Sequence, residues 1–161
     1  MIVTNWDGFG SRLPRRNQPL RHSLIFLRPW TVVSDHTRQI LERGELIGLK
    51  FDPVTIKGQS IHAKSEPFWE LRSKVTRPKV VNAMRNPAVT CESYVATGGC
   101  GEYRYLQSDF QALGNFDIAF TAEPFGGAVP NPELIISQRF YQHCLKNKIP
   151  LEVRPVRIDP D

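Results

Sequence analysis

The chain has 161 residues, 40% of them hydrophobic and 23% charged, a balance that excludes wholesale disorder and suits one domain, 1–161. Lys and Arg outnumber Asp and Glu by 21 to 16, for a net charge of +5, which admits an anionic partner without selecting its class. No apolar stretch approaches the roughly 18 residues of a membrane span, and an odd three cysteines exclude a full disulfide framework.

Residues 1–20 are rich in Gly, Pro and Arg and read as extended or loosely ordered, with Trp6 and Phe9 as docking points. This front is the most basic part, carrying Arg12, Arg15, Arg16, Arg21 and Arg28 beside Asp7 alone. Residues 24–33 read as strand, broken at Pro29; Arg28-Pro29 also cuts the apolar run too short for a signal-peptide core. The expectation is a cytoplasmic protein.

Ser34 is placed to cap a helix over 35–43, with Asp35 at its positive end, Ile40 and Leu41 buried, and Gly44 as the left-handed terminator. Residues 46–51 return as a strand, and Pro53 places it at an edge or a strand end. In the middle, Ser65-Glu66-Pro67 followed by Phe68-Trp69-Glu70-Leu71 predicts a short helix. Residues 76–87 form a basic, Pro-punctuated connection, and 103–106 and 116–121 are strand-like. Residues 123–132, with two glycines and three prolines, predict a loop that presents Phe125 to a partner.

The end of the chain then repeats its front. Thr31-Val32-Val33-Ser34, a helix-length segment and a strand ending Pro53-Val54-Thr55-Ile56 are matched by Leu134-Ile135-Ile136-Ser137, a second such segment and Pro155-Val156-Arg157-Ile158. Ser137 caps a helix over 138–147 whose Phe140, Tyr141, Cys144 and Leu145 share one side, and Pro150 stops it. Two such units, 31–56 and 134–158, must bury their apolar faces on something else, most simply on shared sheet. The expected fold is a single α+β (or α/β) domain, a sheet with helices packed on it, built from two pseudo-repeated strand-helix-strand units.

Catalytic chemistry is not legible. His22, His36, His62 and His143 are scattered without ligand spacing. Cys91 and Cys100 flank eight residues, and Cys100-Gly101 is half of a C-x-x-C-G knuckle whose front position is Thr97. Three cysteines cannot complete a four-cysteine zinc site, so neither metal nor cofactor is expected. Gly98-Gly99-Cys100-Gly101 and Gly126-Gly127 lack the helix and Lys/Ser that follow a phosphate loop. No nucleophile motif is present, and the chain is expected not to be an enzyme.

The repeated segment resembles a family of bacterial polymorphic-toxin immunity proteins, related to the double-CXXCG immunity-like proteins. The resemblance is carried by Asp117-Ile118-Ala119-Phe120, Glu133-Leu134-Ile135-Ile136-Ser137-Gln138-Arg139-Phe140 and Pro155-Val156, and more loosely by 33–54. It implies a non-enzymatic protein that binds a cognate toxin and occludes it. Phe125, Arg15 and Arg16 are the first candidates for that contact, since aromatic and arginine side chains dominate interface energetics. Two alternatives stay open: a nucleic-acid-binding or regulatory module using the Arg-rich front, and a small enzyme acting on a phosphorylated or nucleotide substrate.

Overall fold

The computed structural model describes residues 2–4, 24–27, 30–54, 67–75, 78–88, 90, 92–97, 102–125, 131–151 and 153–161. The chain is a mixed α+β protein. Its elements run β1 (Ile2–Thr4), β2 (Leu24–Leu27), β3 (Trp30–Ser34), α1 (Asp35–Arg43), β4 (Leu49–Val54), β5 (Phe68–Ser73), β6 (Ala83–Arg85) and β7 (Tyr94–Ala96). Then follow β8 (Arg104–Leu106), α2 (Gln107–Leu113), β9 (Ile118–Phe125), β10 (Asn131–Ile136), α3 (Gln138–Lys146), β11 (Arg154–Pro155) and β12 (Arg157–Asp159).

Both main helices begin where a serine hydroxyl can accept an orphan amide. Thr37 N–H donates to Ser34 Oγ at 3.2 Å, and Phe140 N–H donates to Ser137 Oγ at 3.0 Å. Asp35 at the start of α1 accepts from Arg38 and from Trp69 Nε1 at 2.8 Å, and the Arg38 guanidinium lies 4.5 Å from the Trp69 ring centroid. The helix is thereby tied to β5.

The far end of α1 differs from the expected left-handed glycine. Gly44 is right-handed at φ −74°, and the left-handed residue is Glu45 at φ 49°. Glycine is needed at 44 for space instead, because a Cβ there would lie 2.7 Å from the His143 ring. Gly48 is the glycine of the turn: its φ is +96°, and a Cβ would meet Val75 at 2.8 Å and the Ile118 carbonyl at 3.0 Å.

One sheet runs β2-β3-β5-β4 and another β11-β1-β10-β9-β7-β6; β8 and β12 pair separately and in parallel. In the first, β5 is antiparallel to both β3 and β4, so the two strands that α1 connects are parallel with β5 between them. In the second, β1 is antiparallel to both β10 and β11, so the strands that α3 connects are parallel with β1 between them. Each helix unit is also entered by an antiparallel hairpin, β2–β3 and β9–β10. Pro53 lies on the terminal strand β4, where a missing donor does least harm.

Three expectations about the strands need correction. The segment predicted as a short helix after Ser65 is strand β5 from Phe68 onward. Its aromatic and branched residues fill the gap between β3 and β4, and that pairing overrides the local capping signal. The predicted loop 123–132 is strand at both ends, since β9 runs to Phe125 and β10 starts at Asn131. The register shift between Pro132 and Leu134 frees the Glu133 amide, which Thr121 Oγ1 accepts at 2.9 Å. The closing strand of the second unit is split into β11 and β12, which join different sheets.

Alternation along β9 and β10 sends side chains to two cores. Ile118, Leu134 and Ile136 pack with Phe140, Cys144 and Ile149 of the second unit, with Val33 and Leu41 of the first, and with Leu71 of β5. Ala119, Phe125 and Ile135 face the other way, onto Val80, Tyr103, Tyr105 and Phe116. Phe140 and Leu41 are fully buried as expected, and Ile40 is partly buried against the same core. Leu145 is not buried but 49% exposed, because α3 already turns Phe140 and Cys144 inward and the next residue lies about 100° further round. Among the described residues no helix is long and apolar enough to cross a membrane.

Candidate interaction surface

Of the three residues singled out for binding in the sequence, only Phe125 lies among the described residues, and it is buried. Phe125 is 4% exposed, with its ring centroid 4.6 Å from that of Tyr103. Its place at the end of β9 turns it into the second core, which corrects the expectation of a loop aromatic presented to a partner. Arg15 and Arg16, like Arg12, Arg21 and Arg28, lie outside the described residues, as do Cys91, Cys100, His22 and His62. Cys144 is buried in the first core, and burial pushes its thiol up to about 12, so it remains protonated there. Among the described residues no three His, Cys, Asp or Glu side chains are grouped to hold a metal ion.

One polar junction organises the scaffold. Asp117, just before β9, accepts from the Ile47 amide at 2.7 Å, from Arg139 Nε at 3.0 Å and from the Ser137 hydroxyl. Its own amide donates to the Ile47 carbonyl at 2.8 Å, and Arg139 also donates to the Glu45 carbonyl at 3.2 Å. Burial disfavours the charge on Asp117, but bonds from Arg139, Ser137 and Ile47 outweigh it and hold the carboxyl below its usual range. The junction locks the turn after α1 to the start of α3. Its role is structural.

Of the exposed large apolar side chains, Ile47, Leu145 and Ile158 lie elsewhere, whereas Val81, Met84 and Val95 lie at the β6 end of the six-stranded sheet. There β6 and β7 pair antiparallel, with Met84 directly opposite Val95. On the inward face Ala83, Tyr94 and Ala96 pack against the second core. Alternation therefore turns Met84 and Val95 to the opposite face, where they are 52% and 36% exposed. Val81, just before β6, is 50% exposed.

This hairpin is held firmly. The Asn82 side chain donates to the Thr97 carbonyl at 2.6 Å and the Glu102 carbonyl at 2.9 Å, and accepts from the Arg104 amide at 2.9 Å. The Val81 amide donates to the Arg104 carbonyl at 2.8 Å, and Val80 N–H reaches Glu123 at 3.2 Å. Three exposed apolar side chains are thus fixed on a braced hairpin rather than on a free loop. Lys79 and Arg85 flank Val81 and Met84 in sequence and are exposed, with no ion pair among the described residues.

The expected connection over 76–87 instead contains β6, and the sequence-based expectation has no place for this surface. Its signal was the run Val80-Val81-Asn82-Ala83-Met84 between two cations and bounded by Pro78 and Pro87, which is the punctuation of a short strand. Comparison with known protein families, with curated proteins and with solved structures finds no match to the chain.

Proposed function

We propose that this protein is an immunity protein, a cytoplasmic stoichiometric inhibitor that binds a cognate bacterial toxin and occludes it. The observation that supports the reading best is the braced β6–β7 hairpin with Met84, Val95 and Val81 exposed. Large apolar side chains held outward on rigid backbone lose little conformational freedom when covered, which favours a protein contact. The adjoining Lys79 and Arg85 give that contact a polar, positively charged rim, a common arrangement in protein interfaces. The resemblance of 116–158 to toxin-immunity proteins points the same way.

The same proposal takes the two helix units as copies of one strand-helix-strand plan on which such a surface is carried. Ser34 and Ser137 cap, Leu41 and Cys144 follow each by seven residues and are buried, and Glu45 and Lys148 follow by eleven with φ 49° and 56°.

Co-expression with the product of the neighbouring gene tests the function. The expected result is an equimolar complex on gel filtration, with cells surviving the toxin only when this chain is present. Replacing Met84 and Val95 together with Glu should weaken that complex at least ~10-fold, a loss of about 1.4 kcal/mol, with the melting temperature unchanged. Protection by sub-stoichiometric protein without a complex would identify an enzyme instead. Salt-dependent binding of mixed oligonucleotides would identify a nucleic-acid module.

A further inference from the structure

We propose that the outer edge of β6 accepts an extended acidic segment of the partner protein as an added strand. The inference rests on the protein-binding reading above and names how that partner docks. β6 ends the six-stranded order, so among the described residues its outer edge carries no strand. Thr97 N–H donates to the Asn82 carbonyl at 2.8 Å, and Asn86 N–H donates to the Ser93 carbonyl at 2.7 Å. These two bonds bracket the ladder in the register that sets Met84 opposite Val95. Hydrogen-bonded pairs alternate in antiparallel sheet, so Asn82, Met84 and Asn86 direct their peptide groups to β7. Ala83 and Arg85 therefore direct theirs outward. The Ala83 amide is already used by the Val80 carbonyl at 3.2 Å. What remains on the edge is the Ala83 carbonyl and both peptide groups of Arg85, the pair a single residue of an added strand can satisfy.

Side chains select the occupant. Met84 stands on one face of this edge and needs an apolar side chain laid beside it. Arg85 is exposed on the other face, and Lys79 is exposed nearby in the chain. Neither makes an ion pair among the described residues, so both are available to an acidic side chain. Glu92, the acidic residue of the hairpin, accepts instead from the Tyr94 hydroxyl at 3.2 Å. A strand alternating Asp or Glu with Val, Ile or Leu complements both faces at once. A second copy of this chain does not: edge-to-edge pairing about Arg85 would oppose Arg85 to itself, the like-charge device by which natural edges resist self-association.

The test uses the full chain, isotopically labelled, with two short capped peptides, one alternating Glu and Val and the other Lys and Val. The Glu/Val peptide should slow hydrogen exchange at the Arg85 amide by at least ~10-fold, and added salt should weaken its binding. The Lys/Val peptide should do neither. Arg85→Glu, with its melting temperature unchanged, should reverse the preference, and one N-methyl group on the Glu/Val backbone should abolish binding. Equal binding of both peptides, or an unprotected Arg85 amide at saturation, overturns the proposal. So does concentration-dependent protection of that amide in the chain alone, the mark of self-pairing. A co-purified partner that leaves Arg85 exchange unchanged sinks strand addition while the protein-binding reading stands. Peptide protection without any protein partner sustains the edge and sinks the partner reading.

Discussion

The His143 imidazole Nε2 lies 2.9 Å from the carbonyl oxygen of Ile40, and each of these residues stands six places after the serine that caps its helix. A carbonyl only accepts, so Nε2 carries the proton in this bond. The helices α1 and α3 therefore meet at corresponding points. The contact also explains the small residue that follows on α1, because the His143 ring occupies the space a side chain at Gly44 would need.

Gly44→Ala should therefore destabilise the protein, although the backbone at 44 is right-handed and suits alanine. Overpacking of this kind costs about 1–3 kcal/mol. Combining it with His143→Ala should cost less than the two single changes added together, since the second removes the obstruction. Urea unfolding of the four proteins measures the coupling. A stabilising Gly44→Ala, the usual outcome at an open helix position, would show that the ring moves aside freely.

Lys148→Gly should stabilise. Lys148 is exposed and left-handed at φ 56°, where a Cβ costs about 1–2 kcal/mol. Glycine removes that cost and returns about 0.5–1 kcal/mol of it as chain entropy, leaving a net gain of roughly 0.5–1 kcal/mol. Lys148→Ala, which keeps the Cβ, should be close to neutral. Equal effects from the two variants would place the strain elsewhere.

Local signals were legible in the sequence where they were sufficient by themselves. Ser34 and Ser137 announce both long helices because a cap acts on its own next three residues. The hidden parts depend on distant chain. Phe68–Ser73 carries a helix-start pattern, yet the gap between β3 and β4 makes it a strand. Phe125 looked presented among its prolines and glycines, yet Tyr103, 22 positions away, takes its ring. The surface at Met84 and Val95 was hidden for the same reason, since two three-residue strands become a binding face only after pairing. The intercalation of β1 between β10 and β11 left no local mark, being a partnership between opposite ends of the chain.

Phe140 and Leu145 separate the two sides of α3. Phe140→Ala should cost about 3–5 kcal/mol, because the ring is fully buried in the shared core and its loss leaves a cavity. Leu145→Ala should stay within about 0.5 kcal/mol, given its exposure. Thermal unfolding ranks them directly. Comparable losses would mean that Leu145 is covered in solution.

Tyr105→Phe should leave stability unchanged or raise it. The Tyr105 side chain is fully buried, and its hydroxyl has no hydrogen-bond partner among the described residues. Burial, with smaller contributions from Tyr103, Glu123 and Glu133, drives the phenol's pKa upward, so it stays protonated. Removing an unsatisfied buried hydroxyl recovers about 1–2 kcal/mol on the scale of protein substitutions. A loss above ~1 kcal/mol would show that the hydroxyl holds a partner, such as an ordered water, in solution.

Acid should loosen the molecule through Asp117. Burial raises the pKa of its carboxyl, yet the bonds from Arg139, Ser137 and Ile47 lower it by more, so the folded value lies below the unfolded one. The folded chain therefore favours the ionised form. That contribution is complete above the ordinary carboxylate range and is lost as pH falls through the lower folded-state value. Asp117→Asn keeps one acceptor but removes the charge facing Arg139, and should cost about 1–3 kcal/mol at neutral pH. Arg139 is more than half exposed, which keeps the figure below that of a fully buried pair. Asp35, Asp159 and Asp161 also titrate low, so both proteins lose stability in acid; the gap between them reports Asp117. Denaturation curves at about pH 7 and about pH 3 should show that gap narrowing. A gap of equal size at both would mean that the carboxylate charge contributes nothing to the junction.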